Sequence, residues 1–232
     1  MRLLSRCLAA LCIAPLLGCA PKISTGGEDS DFLKDYTPPT STVTSTQVFP
    51  LAPGNYWEMD AVSDGNHHRH KILVAGAKQV GAATGMYVQY LRDGALWRQE
   101  VYRNDEKGLY LLAYGEKKPE LLVLDPPLPI LKPRLDEGSE LTWRGNVVFQ
   151  NKRYPATGFS RISSPETLTT RKGRFQAYRL DSVITLERPG EKALHFPSVR
   201  WLSKDIGLVS RQYADGGKPA AEVLEQYMVQ GK

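Results

Sequence analysis

From residue 48 onward the chain alternates short runs of Val, Tyr, Leu and Trp with turn dipeptides, which points to antiparallel sheet. Residues 55–62 (NYWEMDAV) and 67–76 (HHRHKILVAG) flank Ser63-Asp64-Gly65-Asn66, and Asp-Gly between two extended runs is a strong hairpin signal. The pattern repeats in 86–93 (MYVQYLRD) and 95–104 (ALWRQEVYRN) around Gly94. Further strand texture follows at 108–115 and 120–125. It resumes at 140–150, where Gly145-Asn146 reads as a turn, and then at 174–188. Residues 193–229 supply closing strands through Asp215-Gly216-Gly217, and the ambiguous AAEVLEQYMV is best read as a strand pairing back through that turn. The stretch PPLPILKP (126–133) reads as an apolar connection across a sheet edge or face, because proline removes ladder donors. No helix has convincing caps. The expectation is a mainly β protein: one domain over residues 48–232, a curved antiparallel sheet shaped as a half-barrel or open barrel.

The N-terminus has a different texture. Arg2 and Arg6 precede an apolar run from Leu8 to Leu17. A membrane-spanning helix needs about 20 apolar residues, so this run reads as a secretory signal over residues 1–18. Leu16-Leu17-Gly18-Cys19 resembles the lipobox of bacterial lipoproteins. In that family the signal is cut before the cysteine, whose sulfur is diacylated and whose amine is often acylated as well. Cysteine usage agrees. Of Cys7, Cys12 and Cys19, the first two leave with the signal, and the third has no disulfide partner in the mature chain. More than one acyl chain gives stable anchoring, at about 0.8 kcal/mol per buried methylene. Ala20, rather than Asp, after the cysteine resembles the outer-membrane sorting pattern of Gram-negative bacteria. The expected location is therefore export and lipid anchoring, on the periplasmic side of the outer membrane in such a cell.

Residues 19–47 are rich in Ser, Thr, Gly, Pro and Asp and are expected to form a lipidated, disordered tether. Such a tether of ~28 residues has a span of about 30 Å. Phe32, Leu33 and Tyr36 read first as a chance apolar trio and only second as a short docking motif for a partner. Loss of Arg2 and Arg6 with the signal lowers the net charge from +5 to +3. No basic cluster is interleaved with stacking aromatics, so nucleic acid is not an expected partner.

Phe49-Pro50-Leu51, Gly54-Asn55 and Trp57 resemble the opening of the mature domain in an uncharacterised group of bacterial secreted lipoproteins. Residues 173–179 (GRFQAYR) and 201–209 (WLSKDIGLV) are similar to two later segments of that group, in the same order. The resemblance implies a curved antiparallel sheet like the half-barrels of periplasmic Lol-type lipoprotein carriers. It implies no activity.

Candidate chemistry is sparse. His68 and His70 project from one face of an extended strand, the spacing by which two imidazoles share a metal. Further ligands would have to come from Glu58, Asp60 or His195. Against this stands a solvated strand after a hairpin. No Gly-x-Ser-x-Gly elbow is present, and an acylated Cys19 leaves no thiol for catalysis. Neither a catalytic residue nor a cofactor is expected. Strand aromatics, Trp57, Tyr90 and Trp97 foremost, either fill the core or line a groove for a hydrophobic ligand. The leading expectation is a non-enzymatic, membrane-anchored envelope lipoprotein that binds a hydrophobic ligand or an envelope partner protein. The alternatives are a metal-dependent hydrolase centred on His68 and His70, and a structural assembly subunit without a pocket.

Overall fold

The computed structural model describes residues 42–116, 120–188, 190–215 and 217–230. The signal, Cys19, Phe32, Leu33 and Tyr36 lie outside the described residues. Among those described, the chain forms a short helix, α1 (Ser45–Val48), and twelve strands. The first six are β1 (Tyr56–Ser63), β2 (Asn66–Val80), β3 (Ala83–Arg92), β4 (Ala95–Asp105), β5 (Gly108–Glu116) and β6 (Leu122–Leu131). The others are β7 (Glu140–Phe149), β8 (Lys152–Thr170), β9 (Gly173–Leu186), β10 (Leu194–Ser203), β11 (Gly207–Asp215) and β12 (Lys218–Met228).

Each strand pairs antiparallel with its sequence neighbours, and β1 pairs with β12 from Tyr56↔Met228 to Ser63↔Ala220. The curved antiparallel sheet expected from the sequence is present, and pairing of its first and last strands carries it to a closed barrel. Closure leaves no free terminal strand. Alternation sorts the side chains: in β1, Trp57, Met59 and Ala61 are buried while Tyr56, Glu58 and Asp60 face outward. The outer wall carries ion pairs such as Lys71–Glu58 and Arg103–Asp105. A membrane-spanning barrel would instead present an apolar band.

The two ends differ. The β4–β5 and β10–β11 turns lie at one end, and residues 43–49 pack over it. There the Ser45 N–H donates to the Pro133 carbonyl (3.0 Å), Ser45 Oγ to Asn104 Oδ1 (2.8 Å) and the Asp205 N–H to the Gln47 carbonyl (2.7 Å). Val48 is fully buried, and Phe49 packs on Tyr102 with ring centroids 4.9 Å apart. Residues 42–47, expected as the end of a tether, thus belong to the fold, because Val43, Ser45 and Val48 bury their side chains there. The opposite end, with the β3–β4, β9–β10 and β11–β12 turns, has no such plug among the described residues.

Two strand expectations need correction. The PPLPILKP stretch is not a connection, since Pro126 to Leu131 continue β6. Its ladder with β7 runs only from Val123↔Val148 to Asp125↔Asn146 and stops where the prolines begin. Beyond that point side chains bridge the gap: Trp143 Nε1 donates to the Pro126 carbonyl (2.9 Å) and Ser160 Oγ to the Ile130 carbonyl (3.1 Å). Gly145-Asn146 is not a turn but the middle of β7, where the Trp143 ring lies against the glycine. The hairpin turns at Gln150-Asn151, both with positive φ.

Candidate functional site in a charged barrel interior

The interior of the barrel is apolar near the plug and ionic above it. Its charges come from inward-facing positions that strand register places side by side. Arg200 on β10 lies opposite Arg211 on β11, and Arg211 lies opposite Glu222 on β12. On the far wall, Glu100 on β4 is flanked by Tyr90 of β3 and Arg98 of its own strand. Glu100 and Glu222 are fully buried, Arg211 is 1% exposed and Arg200 6%. Burying such charges is costly unless each is paired and hydrogen-bonded.

Glu100 meets that condition. Its Oε1 accepts from Arg98 Nε (2.9 Å) and from Arg200 (3.4 Å), and its Oε2 accepts from the Tyr102 hydroxyl (2.6 Å) and from Tyr90. Arg200 also donates to the Tyr102 hydroxyl (2.9 Å). Burial alone would raise the Glu100 carboxyl, but Arg98, Arg200 and Arg211 hold it well below the usual carboxylate range. Burial pushes the Tyr90 and Tyr102 phenols up, so both are neutral donors.

Glu222 anchors a second chain of contacts. Its Oε1 accepts from Arg211 (2.6 Å) and from His70 Nδ1 (2.9 Å). His70 Nε2 accepts from Arg92 Nε (3.0 Å), and Arg92 also donates to Asp215 Oδ2 (2.6 Å). Guanidinium nitrogens only donate, so in this geometry His70 Nε2 is the acceptor and Nδ1 the donor to Glu222. Against the penalty of burial, Arg211 and His70 hold the Glu222 carboxyl down at about 2. Tyr213, 4.2 Å from the Arg211 guanidinium by its ring centroid, is pushed up to about 12, chiefly by burial and then by Glu222.

Above this network a cavity of about 70 Å³ lies towards the unplugged end. Leu128, Phe159 and Ile184 line it together with Arg98, Arg200 and Arg211. A second void, of about 10 Å³ beneath the plug between Phe49, Trp57 and Tyr90, is no larger than one water.

The residues singled out from sequence fall as follows. His68 and His70 do share the inward face, with ring centroids 6.3 Å apart. Both nitrogens of His70 are engaged, and His68 Nδ1 is 3.1 Å from Asp93 Oδ2. Glu58 and Asp60 point to the opposite, outer face, and His195 Nδ1 meets Thr185 Oγ1 at 3.0 Å. No cluster of three His, Cys, Asp or Glu suited to a metal occurs among the described residues. Trp57, Tyr90 and Trp97 are buried, at 3%, 2% and 5% exposure, and none lines the larger cavity. Trp57 donates to the Ile206 carbonyl (2.6 Å), Tyr90 caps Glu100, and Trp97 packs between His70 and Tyr213. They fill the core, so the groove expected from them is not where they lie.

The barrel interior that sequence reading did not anticipate comprises Arg98, Glu100, Arg200, Arg211 and Glu222. A signal was available. In β11 and β12 the buried phase reads Val209, Arg211, Tyr213 and Ala220, Glu222, Leu224. A charge standing in the apolar phase of a strand marks a buried pair.

Fold and interior together define a closed antiparallel β-barrel, plugged at one end and charged within. No family model and no curated protein matches the chain. Among solved structures it is similar to a protein of Parabacteroides distasonis described as a lipoprotein, with 14% identity and a TM-score of 0.45, covering 81% of this chain and 100% of that one. It is also similar to a Bacteroides fragilis protein described as exported and of YmcC-like fold, with 14% identity, TM-score 0.42 and the same coverage. A third is YmcC of Escherichia coli K12, described as a hypothetical lipoprotein, with 14% identity, TM-score 0.38 and coverage of 80% and 90%. At these levels of similarity the function of this barrel is left to its own residues.

Proposed function

We propose that the protein is an exported cell-envelope lipoprotein, anchored through Cys19, whose barrel binds a ligand with an apolar part at its unplugged end and catalyses no reaction. The anchoring rests on Leu16-Leu17-Gly18-Cys19, and Ala20 favours the periplasmic side of the outer membrane in a Gram-negative cell. The binding rests on one observation above all: the cavity is lined by apolar side chains and by three arginines, and lies away from the plug. Leu194 and Phe196, 39% and 41% exposed, extend the apolar surface beside it. Binding pockets for drug-sized ligands measure about 300–1,000 Å³. A 70 Å³ cavity therefore takes one group of a ligand and leaves the remainder at the mouth. The non-catalytic reading is supported by the mutual engagement of the interior groups, with both ring nitrogens of His70 in hydrogen bonds and Glu100 and Glu222 held ionised.

A second reading, a structural envelope subunit, is favoured by the tight packing between the plug and the cavity, where the void is about 10 Å³. Membrane fractionation combined with solvent extraction separates the claims. Wild-type protein is expected in the membrane fraction and the Cys19→Ser variant in the soluble one; unchanged fractionation sinks the anchor. An amphipathic molecule extracted in stoichiometric amount supports ligand binding, and a clean extract from folded protein favours the structural subunit.

A further inference from the structure

We propose that the cavity is a binding site for a single oxyanion group, a carboxylate or a phosphate, carried by a free small anion or as the head of an amphipathic ligand. This rests on the ligand-binding reading above and supplies its chemistry. The first argument is charge. The cavity is lined by three cations, Arg98, Arg200 and Arg211, against one carboxylate, the exposed Glu116. Burial keeps the neighbouring Tyr90 and Tyr102 phenols neutral, so they supply no negative charge. Arg200 and Arg211 lie directly opposite each other on adjacent strands, an arrangement that like charges make unfavourable unless an anion intervenes.

The second argument is hydrogen bonding. Arg200 Nε and Arg211 Nε are buried without a partner, and so are the Ser198 Oγ and the Tyr114 hydroxyl. All four side chains line this one cavity. The Tyr213 hydroxyl is a fifth such atom on the same cavity. Buried donors are almost always satisfied, so these orphans around one space call for an acceptor within it. Both Glu100 oxygens are already occupied by Arg98, Arg200, Tyr90 and Tyr102, and the one unpartnered carboxylate oxygen nearby, Glu222 Oε2, belongs to a residue that does not line the cavity. Guanidinium forks among apolar side chains suit an oxyanion with a hydrocarbon substituent. Of the side chains lining the cavity, only Glu116 is acidic, and it is exposed at the rim. The volume agrees: about 70 Å³ accommodates one such group and little more.

The test is calorimetric titration of the full-length Cys19→Ser chain with decanoate, decanol and inorganic phosphate. Three variants accompany it: Arg200→Lys, Ser198→Ala and Tyr114→Phe. The last two touch no ion pair, and circular dichroism confirms that each variant is folded. Decanoate is expected to bind one per chain, about tenfold or more weakly in Arg200→Lys and about threefold more weakly in Ser198→Ala and Tyr114→Phe. Competition by inorganic phosphate supports a site for which the oxyanion suffices. Decanoate binding without such competition supports the head group of an amphipathic ligand. Decanol binding as tightly as decanoate, with phosphate silent, overturns the oxyanion site and leaves an apolar ligand standing. No binding by any of the three to folded protein overturns both readings.

Discussion

Glu222 shows how one residue commits this interior. It is fully buried, and its Oε1 joins Arg211 to His70. Removing one partner of a buried pair leaves the other charge uncompensated, at a cost of about 3–5 kcal/mol. Glu222→Gln is therefore expected to lower stability by about that amount, read from the urea midpoint near neutral pH. The pH dependence follows from the same residue. Folding lowers its carboxyl from 4.5 to about 2, so its contribution is complete above about pH 4.5 and is lost as the pH falls through about 2. The urea midpoint of the wild type should fall across that window, and Glu222→Gln should flatten part of the fall. A variant with the same acid limb as the wild type would contradict this role. Sequence carried half of this information: Arg211 and Glu222 each stand in a buried phase. Their pairing across a hairpin, and the approach of Arg200, needed the register that only the folded sheet supplies.

Among the elements, the plug and the strands it covers show why boundaries were harder to read than hairpins. Asp64-Gly65 and Asp93-Gly94 turn where their residues say they should, with positive φ throughout. The 19-residue strand β8 was missed between residues 152 and 170 because Pro155 and Pro165 interrupt its pattern. Its ladder with β9 slips between Ile162 and Pro165, which accommodates the second proline. Helix α1 is a single turn whose residues give no apolar period, and it is held by backbone contacts to Pro133 and Asp205 rather than by propensity. Near it, Gly207 holds φ +93, and a Cβ there would meet Trp57 Cζ2 at 2.7 Å. Gly207→Ala is expected to cost about 1–3 kcal/mol from backbone strain. It should also shift Trp57 fluorescence by pushing the indole off the Ile206 carbonyl. Unchanged emission and stability would show that the contact between the β10–β11 turn and Trp57 is looser than drawn.

At the scale of the molecule, alternation and turn spacing announced a curved antiparallel sheet, but closure depended on β1 finding β12, a pairing across most of the chain. Local residues carry no record of such a contact. The same closure converts charges that an open sheet would leave solvated into a network whose centre, Glu100, Arg200, Arg211 and Glu222, is buried. It also makes Trp57, Tyr90 and Trp97 core rather than groove: their inward positions are buried against neighbouring strands, at 3%, 2% and 5% exposure. What survives as space is the cavity of about 70 Å³ beside Arg98, Arg200 and Arg211. The direct measurement is a crystal structure of the protein grown with a bromine-labelled medium-chain carboxylate. The account predicts a bromine anomalous peak at the unplugged mouth, with the carboxylate within hydrogen-bond distance of Arg200 and Arg211. An anomalous peak confined to the outer wall, with only water beside those arginines, would contradict it.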